Sequence, residues 1–137
     1  MKTILIGYDG TETSKHALKR AAEIAKPLGS KIVVTSVAPM LVGTPRGAGP
    51  YDPADPPSAH DAQLNEAAAL LEEHGITPTL ERGHGDPADV ILEIADQVDA
   101  DLIVLGTHER SLVERALGMS VSGAISRKAH RDVLIVH

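Results

Sequence analysis

Residues 3–10 read TILIGYDG. A run of aliphatic and β-branched residues closed by Gly7 is long enough for one strand and too short for a helix. Directly after it Asp9 and Gly10 mark a turn, and Thr11, Thr13 and Ser14 offer hydroxyls that can cap the backbone N–H groups of a helix start. Ala17, Leu18, Ala21, Ala22, Ala25 and Leu28 then recur on one face at a 3.6-residue period, and Pro27 with Gly29 predicts the stop.

The same alternation continues outward. Residues 31–37 (KIVVTSV) predict a second strand, apolar enough to be covered by helices on both faces. Residues 39–57 hold six of the nine prolines, Pro39, Pro45, Pro50, Pro53, Pro56 and Pro57, so neither a helix nor an inner strand persists there. Such a stretch is either a mobile surface loop or a lid over a ligand pocket. Ser58 with Asp61 predicts the cap of a second helix with Ala62, Leu64, Ala68 and Leu71 as its apolar face and Gly75 as its end. Residues 77–82 predict a short polar strand suited to a sheet edge. Asp86 and Pro87 form a helix start, because the carboxylate accepts N–H bonds and a proline at the first helical position forfeits none. Val90, Ile91, Ile94, Ala95 and Val98 are its buried stripe. Residues 101–106 (DLIVLG) predict a fourth strand, 120–129 a last helix and 133–136 a last strand.

Five strands and four helices in strict alternation predict parallel strands joined by right-handed crossovers. The fold class is α/β: a three-layer sandwich with an open five-stranded parallel sheet and helices on both faces. At 137 residues the chain has room for one domain, spanning 1–137. Apolar residues make up 42%, and with Tyr8 and Tyr51 as the only aromatics the core is built from Val, Ile, Leu and Ala. That composition excludes an aromatic base-stacking platform. A net charge of −6 gives no electrostatic reason to approach nucleic acid or an anionic membrane, so neither is expected as a partner. The absence of cysteine excludes disulfides, thiol catalysis and thiolate metal sites. No apolar run reaches the roughly 20 residues of a membrane span, and the chain enters its first strand with no signal peptide, so a cytoplasmic protein is expected.

In an open parallel sheet, ligands sit beyond the carboxyl ends of the strands where strand order reverses. Those ends carry Gly7, Tyr8, Asp9 and Gly10, then Val37 and Ala38, then residues 83–86 (GHGD), then residues 106–109 (GTHE). Neither G-x-G-x-x-G nor G-x-x-x-x-G-K-[ST] occurs, which leaves a Rossmann dinucleotide enzyme and a Walker NTPase unsupported. Residues 118–122 (GMSVS) imitate a nucleophile elbow but lack its second glycine, so Ser120 reads as a buried or capping serine. A phospho-receiver would need an acidic cluster beside Asp9, which stands nearly alone. No catalytic residue is assigned. Of the seven histidines none forms an H-x-H or H-x-x-x-H pair, and His84 and His108 approach Asp9 only if their loops converge, so no metal site is assigned.

The opening ILIGYDG followed by TETS, the segment DADLIVLGTHE and the ending SVSGAISRKAHRDVLIVH resemble the universal stress protein family, in order and length over essentially the whole chain. The resemblance implies a Rossmann-like sheet of the adenine nucleotide alpha hydrolase type, cytoplasmic stress physiology, homodimers and, in one subclass, an ATP site marked by G-x2-G-x9-G-[ST]. It also implies site residues. Asp9 would meet the ribose, or Mg2+ if a Mg-nucleotide binds; Val37 would meet the adenine; His108, Ser120, Val121 and Ser122 would meet the phosphates. Gly7, Tyr8, Leu105, Gly106, Glu109 and Met119 complete the nucleotide-binding set.

Laid over the ATP motif, Gly106 matches the first glycine and Ser120 the hydroxyl. Glu109 and Met119 stand where the second and third glycines belong, with Gly118 one residue early. Glycine lets phosphate oxygens reach backbone N–H groups with no Cβ in the way, and a helix N-terminus adds partial positive charge. A carboxylate at Glu109 facing a unit charge ~4 Å away would oppose it by about 4 kcal/mol at an effective dielectric of 20. Arg110, Arg115, Arg127 and Lys128 either neutralise Glu109 or form a solvated face, and Glu109 can instead turn into solvent.

Residues 132–136 (DVLIV) would leave a bare apolar edge in a monomer. Pairing of Val133, Leu134, Ile135 and Val136 with a second copy covers it, as the resemblance implies; the proline-rich loop is the alternative cover. The leading functional expectation is a dimeric stress-responsive regulator, non-enzymatic or at most a weak ATPase, acting through an unidentified protein partner, with an adenine-nucleotide-type pocket whose degenerate phosphate part binds ATP weakly or not at all; ATP, AMP and cyclic AMP are the candidate ligands. The alternatives are an ATP-binding protein with slow ATPase activity, and a protein with an empty pocket that acts by contacts alone.

Overall fold

The computed structural model describes residues 1–38, 57–107 and 121–137, with the backbone alone at residues 37–38, 57–59 and 121–122. Nine elements alternate along these residues: β1 (Thr3–Gly7), α1 (Glu12–Leu28), β2 (Lys31–Ala38), α2 (Pro57–Glu72), β3 (Thr79–His84), α3 (Pro87–Gln97), β4 (Leu102–Gly106), α4 (Val121–Lys128) and β5 (Asp132–Val136). The five strands form one sheet in the order β3-β2-β1-β4-β5, every pairing parallel. The expected three-layer α/β architecture is therefore the observed one.

The period-two pleat of β1 explains the layers. Ile4 and Ile6 pack with α1 and α2, through Ala17, Leu18, Ala21, Leu64 and Leu71, whereas Leu5 packs with α3 and α4, through Ile91, Ile94 and Ile125. Ile4, Leu5 and Ile6 are wholly buried, each stabilising the fold by roughly 1.5–3 kcal/mol. The chain winds from β1 to β2 and β3 on one side and from β4 to β5 on the other. Strand order thus reverses between β1 and β4, which places a crevice beyond Gly7 and Gly106.

Several boundaries differ from the sequence expectations. The strand expected at 77–82 lies at 79–84, because Pro78 has no N–H for the ladder, which starts at the Thr79–Val33 pair. Ser58, expected as a cap, is already inside α2, whose first residue Pro57 forfeits no hydrogen bond. Asp61 pairs instead with Arg82 of β3 at 2.8 Å. Ala62 is exposed, and the face α2 buries is His60, Leu64, Ala67 and Leu71, spaced four, three and four apart. Leu28, expected on the buried face of α1, is 57% exposed as the last residue of that helix, just before the Gly29 cap. The α3 start is as expected: Asp86 accepts from the Asp89 N–H at 3.1 Å and Pro87 opens the helix. Most of the proline-rich stretch, 39–56, lies outside the described residues. No helix among the described residues is long and apolar enough to cross a membrane.

Candidate functional site

The crevice is built first from a turn. Gly7 ends β1, and beyond it Gly10 takes the left-handed conformation, φ 80°, that swings the chain into α1. Asp9 bridges that turn: one carboxylate oxygen accepts the Thr11 N–H at 3.0 Å and the Thr11 hydroxyl at 2.6 Å. Thr11 in turn caps α1, its hydroxyl accepting the Ser14 N–H at 3.3 Å. Of the three hydroxyl residues expected to cap, Thr11 does so, while Ser14 donates back to the Thr11 carbonyl at 2.9 Å. A half-buried carboxylate is thereby fixed at the crevice mouth, beside the first turn of a helix.

The opposite wall is the end of β4. Gly106 lies against α1 so closely that a Cβ on it would stand 2.5–2.6 Å from Thr13 and Ser14 backbone atoms. Leu105 is buried in the α3–α4 layer and closes on Gly7, where a Cβ would meet its side chain at 2.8 Å. Thr107 donates its N–H to the Val136 carbonyl at 2.9 Å, tying this wall to the last strand.

Tyr8 is 2% exposed, its side chain in the α1–α2 layer and not in the crevice. Its hydroxyl donates to the Glu66 carboxylate, and its N–H donates to the Thr35 carbonyl at 2.9 Å. Burial above all, then the bond to and charge of Glu66, push the phenol well above its ordinary value. Tyr8 is a neutral donor at any physiological pH.

Three α2 residues with no place in the sequence reading complete the floor. Gln63 donates its amide to the Asp9 carbonyl at 3.0 Å, and its own oxygen accepts the Ser36 hydroxyl at 2.6 Å. Ser36 and His60, both buried, meet through Oγ and Nδ1 at 2.5 Å. The signal in the sequence is faint: His60, Gln63 and Glu66 recur every three residues along a helix that otherwise buries aliphatic side chains.

The structure therefore places Gly7, Asp9 and Gly106 at the neighbouring carboxyl ends of β1 and β4, with the Val37 backbone at the end of β2, paired with Gly83, while Leu105 is buried in the α3–α4 layer. Val121 and Ser122 enter as the backbone of the first turn of α4. His108, Glu109, Gly118, Met119 and Ser120 lie outside the described residues, as do Arg110 and Arg115. Arg127 and Lys128 are exposed, and Lys128 pairs with Asp89 at 3.2 Å. His84 ends β3 and is exposed. Among the described residues no three His, Asp or Glu side chains group as a metal site would need.

The family model described as the universal stress protein family matches residues 1–137. The chain is similar to universal stress protein MJ0531 of Methanocaldococcus jannaschii, 35% identical over 98% of this chain and 81% of that protein. It is also similar to universal stress protein Rv1636 of Mycobacterium tuberculosis, 32% identical over 99% of this chain and 96% of that one. Among solved structures, a universal stress protein in complex with cAMP superimposes with a TM-score of 0.77 at 29% identity, covering 99% of this chain and 97% of the other.

Proposed function

The chain belongs to the universal stress protein family, and on that premise we propose that it is a non-enzymatic regulatory protein whose crevice binds adenosine monophosphate or cyclic AMP in preference to ATP. The observation that carries this reading is the pairing of a fixed carboxylate at Asp9 with a crevice between β1 and β4, in a chain similar throughout its length to a protein solved with cAMP. Asp9 would face the ribose hydroxyls, and the Val37 backbone the adenine. The backbone N–H groups of Val121 and Ser122 in the first turn of α4, with His108 and Ser120, would face one phosphate.

Glu109 and Met119 replace two glycines of the ATP motif, so the bed for a second and third phosphate is lost and a carboxylate is added to it. Mg2+ then enters only with a nucleotide, beside Asp9. Among the described residues, the buried Ser36–His60 pair has its hydroxyl turned to Gln63 and not to the imidazole. The half-buried edge strand β5 supports a homodimer formed through Val133, Leu134, Ile135 and Val136. A regulatory protein partner would read the nucleotide-dependent state.

The test is to denature freshly purified protein and identify the nucleotide released. AMP or cyclic AMP supports the proposal; stoichiometric ATP overturns it in favour of an ATP-binding protein with slow ATPase activity.

A further inference from the structure

Helix α2 holds the crevice from below by a polar stripe. His60, Gln63 and Glu66, one residue per turn on the same face, reach Ser36 at the end of β2, Asp9, and Tyr8 at the end of β1. Chemistry fixes the direction of every proton in the central part of this network. The Asp9 carbonyl can only accept, so Gln63 must present its NH2 there. Its oxygen therefore faces Ser36, which must spend its single hydroxyl proton on it. Ser36 can then only accept from His60, whose Nδ1 must carry a proton. The order also decides a chemical question: His60 donates to Ser36 and takes no proton from it, so this buried pair is not a nucleophile with its base.

One side chain links the two halves of the network. Gln63 packs along the Asp9–Gly10 peptide, where a Cβ on Gly10 would sit 3.7 Å from its Nε2 and 3.8 Å from its Cγ. Displacing its amide would free the Asp9 main chain from α2 and leave the Ser36 hydroxyl to repoint. We infer that Gln63 is a positioning residue of the nucleotide site, setting the Asp9 carboxylate for the ribose by holding its main chain against α2 and β2. The inference rests on the proposed reading of the crevice as a nucleotide site.

The test is a calorimetric double-mutant cycle on the full chain with cAMP and AMP as probes. Gln63→Ala is expected to weaken binding about tenfold, the loss of one well-placed hydrogen bond and of the order it imposes. Gln63→Glu, which keeps the shape and the acceptor but replaces the donor with a carboxylate oxygen that repels the Asp9 carbonyl, is expected to weaken it at least as much, and serves if the alanine variant fails to fold. In an Asp9→Ala background, Gln63→Ala is expected to change affinity less than twofold. Wild-type affinity in Gln63→Glu, or equal losses in both backgrounds, overturns the inference. Wild-type protein that binds neither probe overturns the underlying site reading instead. A ligand-free measurement separates the two: nitrogen NMR of His60 is expected to show an Nδ1-bound proton, and the Nε2–H tautomer alone would overturn the proton order whatever binds.

Discussion

Gly106 and Thr13 are in main-chain contact: a Cβ on Gly106 would stand 2.5 Å from the Thr13 carbonyl carbon and 2.6 Å from its oxygen. The end of β4 thus crosses the first turn of α1 at a separation only glycine permits. The requirement is met by packing alone, before any ligand is considered. In the sequence, Gly106 reads as the first glycine of a phosphate motif. The structure supplies a second reason for it that a single sequence does not reveal.

Gly106→Ala is accordingly expected to destabilise the fold by about 1–3 kcal/mol, the usual penalty of forcing volume into a filled site, since the obstructing atoms are backbone and cannot turn aside. Denaturant unfolding measures it. An unchanged midpoint would mean that α1 moves away freely, and would remove the crevice wall described above.

Tyr8→Phe is expected to change the alkaline limb of stability. The folded-state pKa of Tyr8 is raised above the unfolded value of 10.0, so its contribution is complete below pH 10 and is lost as pH rises beyond it. The variant loses the bond to Glu66 and is less stable than wild type at pH 8, yet its stability falls less steeply above pH 10. Denaturant melts across that range test the sign. Parallel profiles for the two proteins would show that Tyr8 ionises as freely folded as unfolded.

Ile135→Lys is expected to yield monomers in size-exclusion chromatography. Leu134 and Val136 pack on the α1–α2 layer and Val133 on the α3–α4 layer, so Ile135 is the apolar residue of β5 with no place in either core cluster. The variant therefore probes the edge with least damage to the fold. A folded dimer in its presence would place the interface elsewhere.

On the proposed reading, Glu109→Gly combined with Met119→Gly is expected to raise MgATP affinity while leaving AMP affinity within about twofold, because it restores the two motif glycines and removes one negative charge that a triphosphate would oppose more strongly than a monophosphate. An unchanged MgATP titration would count against the electrostatic argument.

What the sequence conveys and what it hides divide along sequence distance. The alternation of Ile4, Leu5 and Ile6, the Asp86–Pro87 start and the Pro27–Gly29 stop are local, and each acts through a few neighbouring residues. The parallel α/β sandwich follows from them. The polar network between α2 and the ends of β1 and β2 does not, because Ser36 and His60 are 24 positions apart, Ser36 and Gln63 27, Asp9 and Gln63 54, and Tyr8 and Glu66 58. On a helix wheel His60, Gln63 and Glu66 read as solvated polar residues. Only the sheet, by setting the ends of β1 and β2 side by side, gives them partners. Tyr8 is hidden in the same way: its neighbours Gly7 and Asp9 suggest a ligand-facing side chain, while the pleat turns it into the core.

On the proposed reading, the crevice keeps its adenosine-binding wall and has lost its triphosphate bed. Calorimetric titration of the wild-type chain with AMP, cyclic AMP and MgATP tests it most directly. Saturable binding of AMP or cyclic AMP is expected, with MgATP weaker by about tenfold or more. MgATP binding as tight as either monophosphate would contradict it.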